Sequence, residues 1–359
     1  MVASLNAAAT GTLPLTENGI LSRRPYISNS GKYAGHPVVA VNTGRHDASG
    51  QPIYGEKPIH GNATLRKDEW IDLEDQIIDA ARERLVVVND LMNAGLTYNV
   101  GGLGTIISEF EAGSEMTDAD ISMTGRSRAE MDRQEFDLQG VPIPVIHKEF
   151  SIDERMLLAS RQRGADLETT GGAEAARSVA RTTERMMFEG ASINAKGASQ
   201  YTVYGLRTFP GRATYEIADW SDQANVTNED ILADILAMIQ KMETEERSYG
   251  PFNLYIPAAY SFRFRQDFKA AVSGTLMERV MAEEKINAVR TADMQTTGNV
   301  SMVEMVRRVW DLAIASDIVT VQEDSRFGWS NEFQVYAAWA PRFKQDAEGR
   351  VGVMHGSTA

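Results

Sequence analysis

Cysteine is absent from the 359-residue chain, which excludes disulfides, thiolate metal sites and a cysteine nucleophile, and fits a reducing cytosol. Long apolar runs are absent too, and no uninterrupted stretch approaches the ~20 residues that span a bilayer. Met1 to Thr12 lacks the charged start and long apolar core of a signal peptide. The expectation is a soluble protein made in the cytosol. Histidine is sparse: His36, His46, His60, His147 and His355 stand at irregular spacing without a HExxH-type helix pair, so a metal site is not expected. Serines occur without a G-x-S-x-G elbow. Carboxylate runs such as Glu243-Thr244-Glu245-Glu246 and Glu283-Glu284 read as solvated helix faces, and nothing marks a hydrolytic pair. Neither catalytic residues nor a cofactor is expected.

Positive charge is also scarce. The net charge is −14; residues 1–70, with seven Lys or Arg against five Asp or Glu, carry +2, leaving −16 on the rest. Such a body does not grip nucleic acid nonspecifically, because phosphate binding needs clustered basic side chains. It can enclose nucleic acid while repelling it. The remaining composition, 43% hydrophobic and 24% charged, is ordinary for a globular protein, with length for two or more domains.

The most ordered stretch runs from Ala173 to Glu189. Ala173, Ala176, Ala180, Thr183 and Met187 recur at three- and four-residue steps and share one helical face. Glu174, Arg177, Arg181 and Glu184 take the opposite face, within reach of each other. Gly190 is a natural C-terminal stop. Started near Leu167, the helix is roughly 35 Å long at 1.5 Å per residue. Its alanine-rich face lets other elements lie close.

The flanking segments differ sharply. Residues 1–62 show no sustained helical or strand period, and Pro14, Pro25, Pro37, Pro52 and Pro58 interleave with eight glycines. A disordered tail is one reading; Tyr26, Tyr33, Tyr54 and the run Val38 to Val41 favour an extended arm that gains order on another surface. Lys67 to Ala94 reads as one amphipathic helix with Trp70, Leu73, Ile77, Ala81, Leu85 and Val88 on its stripe. Val100-Gly101-Gly102-Leu103-Gly104 is a tight turn rather than a phosphate loop, since it precedes a strand and no lysine is near.

Ile106 to Phe110 and Glu135 to Leu138 look like rails of a long hairpin whose polar span carries Met116, Ile121, Met123 and Met131. A two-stranded ribbon is marginal alone in water, and methionine suits adaptable contacts. A floppy surface loop is the competing reading, and the charges Arg126, Arg128, Glu130, Asp132 and Arg133 suit solvent or intersubunit pairing equally. Val141 to Ile146 is extended by its prolines. A short helix follows over 153–161, with Ser151 or Asp153 as its cap. Residues 220–226 look like a boundary. Thr227 opens a helix with stripe Ile231, Ile235, Met238 and Met242. Phe252 to Ile256 is a buried strand, Pro257 to Phe268 and Leu276 to Met281 are helices, and Ser301–Val309, Ile318–Glu323 and Glu332–Trp339 are strands. Without regular alternation, this is an α+β chain.

The order of parts resembles the major capsid proteins of tailed bacteriophages (Caudovirales) and their cellular relatives the encapsulins, which share the Hong Kong 97-like (Johnson) fold. The match is carried by 140–150, Gly-Val-Pro-Ile-Pro-Val-Ile-His-Lys-Glu-Phe, by Arg163-Gly164-Ala165-Asp166-Leu167 with Glu174-Ala175-Ala176-Arg177 and Met187-Phe188-Glu189-Gly190, and by Tyr204-Gly205-Leu206. Asp311-Leu312-Ala313-Ile314, Thr320-Val321-Gln322 and Ala340-Pro341-Arg342-Phe343 are similar to the closing strands of phage members. The resemblance implies an extended N-terminal arm over 1–64 and an extended loop over 112–145. It implies a peripheral domain of 65–111, 146–226 and 331–359 with spine helix 167–190, and an axial domain over 227–330.

It further implies a structural protein rather than an enzyme. Subunits would self-assemble as hexamers and pentamers into an icosahedral shell, the virion capsid, enclosing double-stranded DNA without sequence-specific binding or a membrane. Portal, scaffolding and cement or decoration proteins are the implied partners. Met116, Met123, Arg126, Arg128, Glu130 and Asp132 of the loop, and Tyr26, Tyr33 and Val39 of the arm, are the expected intersubunit contacts. An encapsulin shell around a cargo enzyme is the alternative; encapsulins place a helix near their start, so the extended arm favours phage. An enzyme or soluble binding module with a long arm is the competing class. Some phage relatives crosslink their loops through lysine–asparagine isopeptides, but no lysine lies between Ala112 and His147 here. A non-covalent shell is therefore expected: boiled particles should run as a single monomer band on a denaturing gel, and a covalent ladder would contradict this.

Overall fold

The computed structural model describes residues 26–27, 37–46, 52–58, 67–83, 85–113, 119, 121, 123–124, 136–153, 155–156, 159, 170–194, 200–269, 272–323, 330–346 and 348–358. Two compact units divide the chain, 1–64 and 65–359. In the smaller, β1 (Tyr26–Ile27), β2 (Pro37–His46) and β3 (Pro52–Pro58) form an antiparallel sheet with β2 central. The sequence shows no strand period here for two reasons. Pro37, Pro52 and Pro58 occupy strand ends, where a missing N–H is tolerated, and a register shift between Asn42 and Arg45 breaks the alternation.

The larger unit begins with α1 (Lys67–Arg82) and α2 (Val87–Asn93), two helices where one was expected. The break is made by the interior: the Val87 N–H donates to the Glu184 carboxylate at 2.8 Å, starting a new helix at that point. Leu73, Ile77, Ala81, Leu85 and Val88 of the expected stripe are all buried. Then come β4 (Thr97–Asn99), β5 (Ile107–Gly113), β6 (Phe136–Pro142), β7 (Ile146–Asp153) and the spine helix α3 (Thr170–Glu189). The expected helix over 153–161 and the first residues of the spine, 167–169, fall largely or wholly outside the described residues.

After the spine, β8 (Ala191–Asn194), β9 (Gln200–Val203) and β10 (Ala213–Glu216) precede α4 (Asn228–Thr244). Next are β11 (Phe252–Ile256), α5 (Ala258–Phe264), β12 (Asp267–Lys269), β13 (Val272–Thr275), α6 (Leu276–Met281), β14 (Ile286–Thr291) and β15 (Asn299–Glu304). The chain closes with β16 (Trp310–Glu323), β17 (Ser330–Phe343) and β18 (Val353–Ser357). The helix expected to reach Phe268 stops at Phe264 and gives way to β12.

Two apolar cores follow from this order. The first gathers around α3, where α1, α2 and the sheet β4-β16-β17-β7 meet. Gly172 lets α1 approach: a Cβ there would lie 2.8 Å from Leu73 Cδ1. Phe150 of β7 pairs with Phe333 of β17 across the ladder, their rings stacked at 5.1 Å. Glu184, expected with the charged residues of α3, is instead 2% exposed and belongs to this core. Glu174, Arg177 and Arg181 keep the surface position expected of them, with Arg177 and Arg181 each 3.7 Å from Glu174, pairs that contribute little in water.

The second core is the sheet β10-β18-β15-β11-β14 with α4, α5 and α6 against it. Ile231, Ile235, Met238 and Met242 of α4 are fully buried, each contributing roughly 1.5–3 kcal/mol. Thr227 caps α4 through a reciprocal pair with Asp230. Trp220, expected at a boundary, lies in this core; its indole N–H donates to Asp234 at 2.9 Å and its ring packs on Tyr260 and Phe264. β16 and β17 sit in the sheet of the first core while β15 before them and β18 after them sit in that of the second, so the chain crosses from one sheet to the other and back.

The spine ends where Gly190 takes φ +75° and Leu206 and Arg207 donate to the Met187 and Phe188 carbonyls. A Cβ on Gly205 would fall 2.5–2.6 Å from backbone atoms of Gly190 and Phe188. Gly205→Ala should therefore destabilise the larger unit by about 1–3 kcal/mol, measured by chemical unfolding; an unchanged midpoint would contradict the close approach.

Candidate assembly site: the hairpin and its root

β5 and β6 form a ladder of their own, from Ile107 opposite Pro142 to Gly113 opposite Phe136, and no third strand joins it among the described residues. The second rail is longer than its sequence signal because Pro142, at the strand end, leaves the ladder intact. Side chains alternate across a strand, so Ile107, Leu138 and Phe136 share one face of the ribbon. Phe136 and Leu138 are 63% and 62% exposed, and Ile106 and Val145 near the root are more than half exposed. Near the tip, Ile121 and Met123 are fully exposed. Glu109 and Glu111 stand on the same face, so the ribbon presents exposed apolar side chains interleaved with two acids.

Of the loop residues expected to touch neighbours, Met123 is thus described, whereas Met116, Arg126, Arg128, Glu130 and Asp132 lie outside the described residues. In the arm, Tyr26 pairs with Val38 and Val39 with Lys57 through the backbone, and Tyr33 lies outside the described residues.

The root is fixed by a buried cation. Arg342 of β17 donates through Nε and Nη2 to Asp311 Oδ1 and Oδ2 of β16 at 2.6 and 2.7 Å, and through Nη1 to Ser108 Oγ of β5 at 3.0 Å. Its guanidinium lies 4.0 Å from the Tyr98 ring centre and 5.6 Å from that of Phe110. Lys344 adds a second cation 2.7 Å from Asp311. Both members of the pair are nearly inaccessible. Burying two charges is costly unless geometry and hydrogen bonds are complete; here the fork is matched by two carboxylate oxygens, a hydroxyl and an aromatic face. The Ile143 N–H donates to the Ile106 carbonyl at 2.8 Å and closes the ladder on the body. The hairpin is therefore held at its base, where Val141 of β6 packs on the first core, and exposed toward Phe136 and Leu138.

Sequence reasoning quoted 311–314 and 340–343 for their likeness to closing strands but gave Asp311 and Arg342 no role. The available signal was one charge of each sign inside the otherwise uncharged segments 311–314 and 340–343. No catalytic constellation accompanies these features. A cavity of about 500 Å³ opens over Phe150, Phe333 and Val321 with Glu149 and Glu332 at its rim, and its lining contains no histidine, lysine or arginine. His355 is half-buried beside Asn299; burial first, then the Arg212 and Arg207 charges, hold its pKa down at about 4, so it is neutral at physiological pH. Among the described residues no group of three His, Asp or Glu could hold a metal, and no helix is long and apolar enough to cross a membrane.

The overall fold of the chain is similar to that of known proteins. A virus-like particle from Pyrococcus furiosus superposes with a TM-score of 0.55 at 14% identity, covering 80% of this chain and 99% of that one. The capsid of Myoviridae phage XM1 gives 0.56 at 12% identity over 75% and 91% of the two chains. The capsid of a native GTA particle gives 0.53 at 13% over 84% and 95%. The Type 1 encapsulin shell protein EncA of Myxococcus xanthus is 24% identical over 269 residues, 72% of this chain and 84% of that protein. The chain has the Hong Kong 97-like capsid-protein fold. Matched over residues 60–356, it belongs to the family described as Family of unknown function (DUF6260).

Arg342→Met should leave Asp311 buried with Lys344 as its remaining partner and destabilise the larger unit by about 3–5 kcal/mol. Arg342→Lys should recover only part of the loss, because an ammonium cannot reproduce the fork. Chemical unfolding checks both, and a loss below about 1 kcal/mol for Arg342→Met would contradict the role assigned to the pair.

Proposed function

We propose that the protein is a structural shell subunit that self-assembles, as hexamers and pentamers, into an icosahedral particle. The observation that carries this reading is the solitary β5–β6 ribbon with exposed Ile107, Phe136 and Leu138 on one face. A two-stranded ribbon has little stability of its own in water; laid on a neighbouring subunit it buries that face, and stability is shared across the lattice. The acidic body, −16 outside residues 1–70, suits a wall that surrounds DNA without trapping it. The enclosed material in this reading is the double-stranded genome of a tailed phage, with portal, scaffolding and decoration proteins as partners and the virion as its location. The subunit has no catalytic task in it.

The arm supports the phage reading over the encapsulin one, because its described residues, 26–27, 37–46 and 52–58, form strands. A shell around a cargo enzyme is the second reading, favoured by the 24% identity to the Myxococcus xanthus shell protein.

Electron microscopy and sedimentation of the purified protein test assembly directly. Uniform particles tens of nanometres wide are expected, whereas a stable monomer or dimer would refute the proposal. Deleting Thr117 to Asp132 should abolish particles and leave a folded subunit; intact particles from that variant would remove the hairpin from the account.

A further inference from the structure

Glu184 is a full carboxylate placed inside the first core, 2% exposed, on the buried face of the spine helix. Its Oε1 accepts the Val87 N–H at 2.8 Å, and its buried Oε2 has no hydrogen-bond partner. An unpartnered anionic oxygen in such surroundings is strongly disfavoured, whereas a protonated one is not. The groups around it do not supply a counter-charge. From α2 comes Asp90, a second acid. From β11 comes Tyr255, whose hydroxyl lies 3.2 Å from Asp90 Oδ2 and whose ring meets Phe188 of the spine edge-on at 5.9 Å. Asn253 of β11 also donates toward Asp90, at 3.4 Å. From β14 comes Arg290, half-exposed and 3.3 Å from Asp90. On its own helix Arg181 and Arg185 are exposed, and on the segment between α1 and α2 Glu83 is exposed and 3.9 Å from Arg177.

These contacts make one joint. The spine helix holds α2 through Glu184, and α2 holds β11, which lies between β15 and β14 in the sheet of the second core, through Asp90. We propose that Glu184 is a proton-operated latch between the two cores: protonated, it keeps α2 and β11 seated on the spine, and ionised, it loosens them. Burial pushes its pKa up to about 7 from 4.5, opposed by the amides of Val87, Val86 and Val88 and reinforced by the Asp90 charge. Burial raises Asp90 in the same direction, against the Arg290 charge, and raises Tyr255 well above its usual value, so neither relieves Glu184. The latch therefore responds near neutrality, where an ordinary carboxylate is inert. In the opened joint Glu184 meets water and regains the ordinary value, so the closed form is fully favoured below about 4.5 and progressively loses its advantage as pH rises to about 7.

The test is amide hydrogen exchange of residues 86–88 in the purified full-length protein from about pH 5 to pH 8, corrected for the intrinsic rate. The opening constant should rise about tenfold per pH unit up to about pH 7 and then level off, a total of about two orders of magnitude. Glu184→Gln, which keeps the acceptor for Val87 and mimics the protonated acid, should give a flat profile. Asp90→Asn should shift the rise to lower pH without abolishing it. An unchanged slope in Glu184→Gln, or a flat profile in Asp90→Asn with the slope retained in Glu184→Gln, would overturn the assignment. Should Glu184→Gln fail to fold, infrared spectroscopy of the unaltered protein decides: a protonated buried carboxyl band that disappears as pH passes about 7 supports the latch, and absence of such a band at about pH 6 overturns it.

Discussion

Ala175, Ala176, Val179 and Ala180 give the 20-residue spine helix a face with little side-chain bulk, and the first core is built on what that face admits. α1 lies against it through Leu73 and Ile77, with Gly172 leaving room for both. β7 and β17 lie against it through the stacked Phe150 and Phe333. Because β17 is seated there, Arg342 is held beside Asp311, and through Ser108 and Phe110 it fixes the base of a hairpin whose ladder no third strand joins among the described residues. Close packing on one helix thus sets where the ribbon leaves the body. Interiors packed at this density transmit such placement with little slack.

The same helix reaches the second core by different means. Its C-terminal turn carries Phe188 onto Tyr255, while Glu184 takes in the start of α2. The first of these contacts is apolar and indifferent to pH, and the second is polar with one oxygen unmatched. Tyr255, Val303 and Val353 of the second sheet also pack into the first core, so the two cores abut across that sheet and Glu184 is the titratable point within the contact.

Much of this was legible in the sequence wherever one face of an element is buried by local periodicity. The α4 stripe, the buried strand β11 and the short helix α6 are each legible in their local sequence. What was illegible depended on partners distant in sequence. Val87 starts a new helix because a carboxylate 97 residues away accepts its N–H, a fact that no window around 83–86 contains. Glu184 alternates with Arg181 and Glu174 like a surface residue and differs only in what the tertiary fold places over it. The β2–β3 pairing was hidden by prolines that mark strand ends rather than breaks. Of the assembly site, the rails were visible as strand-like runs, but the clamp at their root required Asp311 and Arg342 to be seen as cross-strand partners, which only register supplies.

The account's central claim is that the β5–β6 ribbon is stabilised by a neighbouring subunit rather than by its own. Amide hydrogen exchange across 107–113 and 136–142, compared between assembled particles and dissociated subunits, tests it most directly. Exchange in both strands should slow by at least about tenfold on assembly, while Phe252–Ile256 in the second core stays unchanged. Equal exchange in the two states would mean that the ribbon owes nothing to a neighbour.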